Sequence, residues 1–144
     1  MATSSRFVVA THLLVALVHQ RGEPLMSERL APSASTTATV VRKLLSMLAR
    51  AKLTRSQMGA GGGALLARPA EKISLLDVYR AVETEPLVAW HRCEPNENCP
   101  IGRSLREALE PEVDAAVQAF EDRLAKTSIA DVARRIPVCD ELRL

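Results

Sequence analysis

Two cysteines in the middle of the chain carry the most versatile side-chain chemistry in the sequence. Cys93 and Cys99 are separated by five residues, and Arg92 and Arg103 stand on either side of the pair. Positive charge beside a thiol favours the thiolate, the form that reacts with oxidants. The pair therefore predicts a thiol redox site; the alternative is that both cysteines are unreactive loop residues.

A second polar cluster suits phosphate binding. The hydroxyl-rich segment Ser33–Thr39 leads directly into an amphipathic helical pattern, and Lys43 follows Thr39 by one turn on the same face. Hydroxyls and free backbone N–H groups at a helix N-terminus bind phosphates and base edges. Thr36, Thr37, Thr39 and Lys43 are therefore predicted to contact DNA.

A glycine-rich segment follows. A β-hairpin is indicated by two strand patterns, at 53–56 and 64–67, with a glycine-rich turn between them. The turn contains the five residues 59–63, which include Gly61 and Gly62. The segment lacks the lysine and the strand-to-helix context of nucleotide-binding loops. Arg55 and Arg68 lie on either side of the glycine turn, where the backbone is able to approach phosphate closely.

The flanking patterns predict the elements that position these residues. Ser74 with Asp77, and Ser128 with Asp131, match capping boxes that begin helices. Pro111 is expected either to start or to kink the regular part of a long helix. Helices are expected over residues 4–20, 26–31, 36–51, 74–84 and 103–126, with a short last helix after Ser128 and a loop over 85–102. Gly22 is expected to end the first of these helices, and Pro32 is expected to end the second. The predicted fold class is mainly α with a small β-hairpin wing, a winged helix-turn-helix followed by a long C-terminal helix.

Charge is distributed unevenly along the 144 residues. Residues 1–72 hold ten basic and three acidic side chains, a net charge of +7, whereas residues 73–144 hold nine and fourteen, a net charge of −5. A basic half attracts a polyanion such as DNA. Ordinary charge scatter is the alternative explanation.

Several functional classes are not supported by the sequence. No apolar run has the length of about 20 residues that a membrane span needs, and no convincing cleavage site follows the apolar stretch 7–18. Three cysteines, the last being Cys139, are too few for a disulfide scaffold and favour a reducing cytoplasm. No Ser-His-Asp set or carboxylate pair stands in a catalytic frame, so an enzyme is not expected.

Two runs, Gly59–Pro69 and Ile73–Glu83, resemble the signature of the winged-helix regulators that include IscR, NsrR and CymR. Asn98–Gly102 and Thr127–Asp131 resemble later parts of the same family. The similarity spans nearly the whole chain and points to the branch without a cluster, which resembles YwnA.

This resemblance implies a homodimer that represses transcription from a palindromic operator in double-stranded DNA. It divides the chain into a DNA-binding domain (1–84), a cysteine-containing loop (85–102) and a dimerisation and C-terminal helix region (103–144). It adds Ser35 and Val40 to the recognition-helix positions. It also implies that the recurring apolar residues of the long helix pair across the two-fold axis: Leu105, Leu109, Val113, Ala116, Phe120 and Leu124.

The chain departs from its relatives at two places. Met58 and Ala64 stand where many relatives carry a wing arginine and a tyrosine, and Arg55 is the candidate substitute. Cluster-binding relatives use three close cysteines, but 103–106 holds none, so no cofactor is expected; an iron–sulfur cluster with outside ligands is the alternative. The signal is then predicted to be oxidation of Cys99, to Cys93 or across the dimer, which changes the spacing of the wings.

Two other functions remain open at this point. A small molecule that binds near Trp90 would make the chain a ligand-responsive regulator, because Trp90 either plugs a gap beside the long helix or lines a pocket there. A protein–protein adaptor that kept the fold without binding DNA is the third possibility, since fold does not settle function.

Overall fold

The computed structural model describes residues 4–94, 96 and 98–137. Its elements confirm the expected class, mainly α with one β-hairpin in the position of the wing. The helices are α1 (Arg6–His19), α2 (Ser27–Ser33), α3 (Ala38–Arg50), α4 (Leu75–Val82), α5 (Pro100–Ala125) and α6 (Ile129–Arg134), and the strands are β1 (Thr54–Gln57) and β2 (Gly63–Leu66), with a 3-10 turn at Ala70–Lys72.

The core lies between α1, α3, α4 and α6. In α3 the buried residues recur every three or four positions, at Val41, Leu44 and Leu48, so one face of the helix is withdrawn from water. The largest fully buried side chains are aliphatic: Leu13, Leu14, Leu25, Leu30, Val41, Leu48, Leu53, Ile73, Val78, Val82 and Ile129.

The first helix is capped by a residue that is distant in sequence. One carboxylate oxygen of Glu83 accepts hydrogen bonds from the Phe7 N–H (3.2 Å) and the Ser4 hydroxyl (2.8 Å). A carboxylate suits the positive end of a helix dipole. At its other end α1 stops at His19, before the Gly22 position that the sequence suggested.

The boundaries of α2 and α3 correct the sequence-based expectation. Pro32 lies inside the last turn of α2 and does not stop it, because the Ala34 N–H still bonds to the Leu30 carbonyl at 3.1 Å. The third helix begins at Ala38, two residues later than expected, where the Thr37 hydroxyl accepts a hydrogen bond from the Val40 N–H at 3.3 Å.

The hairpin is anchored to the segment that precedes α2. The two strands pair antiparallel, from Thr54 opposite Leu66 to Gln57 opposite Gly63. Leu25 adds a short bridge to β2: its N–H bonds to the Ala64 carbonyl (3.0 Å), and the Ala64 N–H bonds to its carbonyl (2.8 Å). The half of the hairpin nearer the turn is therefore held by three backbone segments.

Both predicted capping boxes are present, at Ser74 with Asp77 and at Ser128 with Asp131. The two N-cap residues, Ser74 and Ser128, also form an antiparallel bridge with each other. This bridge brings α6 back against α1, where Ile129 is fully buried. The last helix therefore shares the core that α1, α3 and α4 form.

The long helix α5 begins at Pro100, three residues earlier than expected. Proline is favoured at the first position of a helix because the N–H that it lacks has no partner there. Pro111 lies inside this helix and does not start it. No side chain of the described α5 is buried, and no helix in the described ranges has the length and apolarity needed to cross a bilayer.

Candidate DNA-binding surface and cysteine loop

The exposed face of α3 and its cap carry four of the nine residues predicted to contact DNA. Thr37, Thr39, Val40 and Lys43 are all exposed, with 42% of Val40 accessible. They lie opposite the buried face of the helix. An isolated large apolar residue such as Val40 at this position is able to contact a thymine methyl group.

Ser35 and Thr36 lie in the turn that leads into α3. Ser35 has a left-handed backbone (φ 50°) and is exposed, while Thr36 is half-buried and its N–H bonds to the Ala31 carbonyl at 3.0 Å. The structure therefore brings the six predicted positions together, four on the helix and its cap and two in the turn before it.

An ion pair that the sequence did not suggest links α2 to α3. A guanidinium nitrogen of Arg42 lies 2.6 Å from a carboxylate oxygen of Glu28, and both side chains are more than half exposed. The pair lies beside the proposed recognition face and orients one helix relative to the other. Fourteen residues separate the partners, so no local sequence pattern marks them.

The wing has an exposed tip and one exposed cation on β1. Arg55 is exposed, as predicted, and Met58 at the tip is 90% exposed. Arg68 is directed elsewhere, since its guanidinium lies 3.7 Å from the Asp77 carboxylate on α4.

The two turn glycines differ in what surrounds them. Nothing lies within 4 Å of the position that a Cβ would take on Gly61, so this residue leaves room for close approach of another molecule. A Cβ on Gly62 would lie 2.3 Å from the Gln57 carbonyl oxygen, so the hairpin itself requires a glycine there.

The two cysteines lie on the segment that leads into α5. Cys93 is exposed, and Cys99 is half-buried at the residue directly before the helix. The Cys99 N–H bonds to the Asn96 carbonyl (3.0 Å), and its own carbonyl accepts the Arg103 N–H (3.1 Å). Both are free thiols in the described part of the chain; Cys139 lies outside the described residues.

The residues present do not form a metal centre within the described ranges. There, no group of three or more His, Cys, Asp and Glu side chains is placed to hold a metal ion. Iron–sulfur clusters need a nearly complete set of thiolate or imidazole ligands, and two loop thiols do not supply one.

The apolar stripe of α5 divides into two parts. Towards the N-terminus, Leu105 and Leu109 are 45% and 42% exposed. Further along, Val113 is half-buried and Ala116 exposed. Near the C-terminus Leu124 and Phe120 are half-buried, and the Phe120 ring packs on α4 of its own chain.

Trp90 lines a cavity beside the start of α5. The Arg106 guanidinium carbon lies 5.3 Å from the centroid of the Trp90 ring, which is half-buried. The cavity has a volume of about 700 Å³ and is lined on one side by the segment around Trp90 and on the other by α5. Of the two roles expected for Trp90, lining a pocket agrees with this geometry.

Comparison with known proteins places this arrangement among regulators of transcription. The family model described as Rrf2, iron-dependent transcriptional regulator, matches residues 3–135. YwnA of Bacillus subtilis (strain 168), named as an HTH-type transcriptional regulator, is 38% identical over 134 residues, which are 92% of this chain and 98% of YwnA.

A second relative and a solved structure agree with that match. The HTH-type transcriptional regulator IscR of Xenorhabdus nematophila is 30% identical over 142 residues, covering 94% of this chain and 85% of IscR. A crystal structure assigned as a DNA binding protein has a TM-score of 0.70 and 35% identity over 89% of this chain and 98% of its own. YwnA and IscR are both named as transcriptional regulators, not as enzymes. The chain belongs to the Rrf2 family of winged-helix transcriptional regulators.

Proposed function

We propose that this chain is a homodimeric repressor that binds a palindromic operator through α3 and the wing, and that leaves the DNA when its loop thiols are oxidised. The observation that carries the proposal is the division of α3 into two faces. Val41 and Leu44 are buried, whereas Thr39 and Lys43 are exposed on the other side. A helix that presents hydroxyls and a cation beside a hairpin suits a major groove and its adjoining phosphates.

Dimerisation is supported by the size and exposure of α5. The helix has 26 residues, a length of about 39 Å at the standard rise per residue. It packs on α4, yet Leu105 and Leu109 remain over 40% exposed at a spacing of four residues. An apolar stripe of this kind is buried when two copies pair about a two-fold axis. Such a dimer would present two copies of α3 to two half-sites, so the operator is expected to be palindromic.

A thiol signal is supported by where Cys99 lies. It is the last residue before α5, so a covalent change there acts at the beginning of the helix proposed to join the two protomers. Peroxide supplies the oxidant: a thiolate attacks one peroxide oxygen to give a sulfenic acid and hydroxide. A second thiolate then attacks that sulfur and displaces hydroxide. Two thiols thus become a disulfide, and peroxide becomes two waters. The second thiol is Cys93 or the partner subunit's Cys99.

The Rrf2 family is described as iron-dependent. The thiol oxidation proposed for this chain does not involve iron, because the side chains in the described ranges do not provide the ligands of a metal centre. An absorption spectrum of anaerobically purified protein tests this directly. Bands of a sulfur-to-iron charge-transfer type would contradict the thiol-only signal.

DNA binding and dimerisation are tested together by a gel shift on sequences selected from random DNA. We expect a complex with two protomers on a palindrome, with an affinity that falls steeply as salt rises, because phosphate contacts release counterions. Absence of any sequence-selective complex would favour the adaptor alternative. A monomeric complex would contradict the dimer.

Release of DNA on oxidation of the loop thiols is tested with the wild type and a Cys99 variant. Peroxide treatment of the wild type should lower DNA affinity at least about tenfold, a change of about 1.4 kcal/mol, and a thiol reductant should restore it. Cys99→Ser should bind DNA equally before and after peroxide. If the wild type is fully oxidised by mass spectrometry and binds as before, the thiol signal is wrong.

A further inference from the structure

The cavity beside α5 has the size of a ligand site. Its volume of about 700 Å³ falls within the roughly 300–1,000 Å³ of small-molecule pockets. One wall is the segment around Trp90, and the other is the N-terminal half of α5. Val88, Trp90 and Arg92 line it on one side, and Leu105, Arg106 and Leu109 on the other.

The apolar lining forms a surface for a hydrophobic body. Val88 is 42% exposed, Leu105 is 45% exposed and Trp90 is half-buried, and all three line the cavity. An aromatic ring and branched aliphatic side chains around one space are typical of sites that hold the apolar part of a small ligand.

The charged lining is biased towards cations. Arg92 and Arg106 both line the cavity, and among the described lining residues Glu94 is the one carboxylate. The Arg106 guanidinium lies over the Trp90 ring at 5.3 Å and is 3.5 Å from the Glu110 carboxylate, one turn along α5. Guanidinium groups offer planar donors that match a carboxylate in a bidentate manner.

We propose that this cavity binds a small organic anion, a carboxylate with an aromatic or branched apolar body. The apolar body stacks on Trp90 and contacts Leu105, and the carboxylate is held by the guanidinium of Arg106 with help from Arg92. An anion fits because the cations outnumber the acid in the described lining. A purely inorganic anion would leave the apolar wall without a partner.

The site is placed to regulate DNA binding, and this part rests on the proposed function. Leu105 and Leu109 belong both to the cavity wall and to the stripe proposed to pair with a second copy. A ligand seated against them changes which surface is available to the partner helix. Because a ligand shifts an equilibrium by its differential affinity for the two states, occupancy of the cavity should change operator affinity.

The chain provides a built-in probe of this cavity, because Trp90 is its single tryptophan. We would titrate the full-length protein with benzoate and follow tryptophan fluorescence and calorimetric heat. The matched ligand is benzamide, which has the same ring without the charge. We expect saturable binding of benzoate, and binding of benzamide at least about tenfold weaker, because it lacks the charge-assisted bonds. No saturable change with benzoate, or equal affinity for both ligands, would overturn the proposal.

Two variants locate the site. Arg106→Gln should weaken benzoate binding at least about tenfold in calorimetry. Arg103→Gln removes the same charge from the same helix at a residue that does not line the cavity, and should bind benzoate as the wild type does. Equal losses in both variants would mean that general charge attraction, not this cavity, binds the anion, and would overturn the proposal.

Operator affinity is measured separately, so the two proposals fail independently. Protein that binds operator but not benzoate would contradict the proposed ligand site and would leave the proposed function as a DNA-binding regulator unaffected. Protein that binds benzoate through Arg106 but shows no selective DNA binding would support the cavity and contradict the proposed function.

Discussion

The Tyr79 ring meets the Phe120 ring edge to face, with centroids 5.1 Å apart and ring planes at 73°. Tyr79 makes a second edge contact with Phe7, at 5.8 Å and 74°, so rings from α1, α4 and α5 contact one another in series. Beside them a guanidinium nitrogen of Arg80 lies 2.6 Å from a carboxylate oxygen of Glu121. These contacts fix the long helix on the DNA-binding unit, so the direction of α5 relative to the wing depends on a few side chains.

Phe120→Leu tests how much this aromatic contact stabilises the protein. The change keeps an apolar side chain but removes the edge-to-face pair, so we expect the free energy of unfolding to fall by about 1 kcal/mol. Arg80→Gln, which removes an ion pair whose arginine side chain is 60% exposed, should cost no more than about 0.5–1 kcal/mol. Urea denaturation measures both. If Phe120→Leu unfolds at the wild-type midpoint, the contact does not stabilise α5.

Lys43→Gln tests the proposed recognition face without disturbing the fold. Lys43 is exposed on α3 with the hydrophobic face on the opposite side, so thermal stability should not change measurably. Operator affinity should fall, and the salt dependence of log affinity should lose about one unit of slope if Lys43 contacts a phosphate.

The matched control is Lys126→Gln, which removes the same charge at the end of α5. It should leave both the affinity and the salt slope unchanged. Equal effects of the two substitutions would show that net charge, and not the α3 surface, attracts the DNA.

Local sequence signals predicted the local structure well. The capping boxes at Ser74 and Ser128 have three-residue spacings that require no knowledge of the rest of the chain, and both are present. The period of α3 and the strand–glycine–strand pattern also depend on near neighbours. Helix ends were less predictable: the expectation that Pro32 would stop α2 was wrong, because a proline lacks only its own N–H and the Ala34 N–H still bonds to the Leu30 carbonyl.

Contacts between distant residues were not predictable from one sequence. Glu83 caps α1 although it lies 76 positions away from Phe7 in the sequence, and Arg42 forms an ion pair with Glu28, which lies 14 positions away. Leu25 joins the wing by backbone hydrogen bonds, which carry no side-chain signature at all. The sequence left two roles open for Trp90, plugging a gap or lining a pocket. It could not decide between them, because the second wall of the cavity is α5, and the position of α5 beside Trp90 depends on how the chain folds. The roles of the predicted DNA and cysteine residues stay predictions.

Gly63 and Gly61 form a matched pair for testing how the wing is anchored. A Cβ on Gly63 would lie 2.5 Å from the carbonyl carbon and oxygen of Leu25, the residue that bridges to β2. Backbone cannot move aside as a side-chain tip does, so Gly63→Ala should lower the free energy of unfolding by about 1–3 kcal/mol or more. It should also lower operator affinity, because β2 is displaced where it enters the turn of the wing.

Gly61→Ala has open space around the new methyl group, and its cost comes from the left-handed backbone alone (φ 74°). We expect a loss of about 1–2 kcal/mol. Chemical denaturation of both variants compares them directly. A Gly63→Ala variant as stable as the wild type would mean that the Leu25 bridge is not maintained in solution.

The pH dependence of stability should contain a contribution from Asp131, the third residue of α6 and a member of its capping box. Its pKa lies below the usual value of 3.8 because its carboxylate accepts hydrogen bonds from the Ser128 N–H and the Ser128 hydroxyl, with further help from the positive charges of Arg134 and Arg135. A lowered pKa in the folded state means that folding favours the charged carboxylate. The resulting stabilisation is complete above the unfolded pKa and is lost as the pH falls through the folded pKa.

Asp131→Asn removes this contribution at every pH. The wild type should therefore be more stable than the variant near neutral pH, and the difference should shrink from about pH 5 downward as the carboxylate is protonated. Asp114→Asn makes the same chemical change on the exposed part of α5 and serves as the control. Thermal unfolding from neutral to acid pH measures all three proteins. A difference between wild type and Asp131→Asn that stays constant across that range would mean that shape, and not the charge of Asp131, stabilises the start of α6.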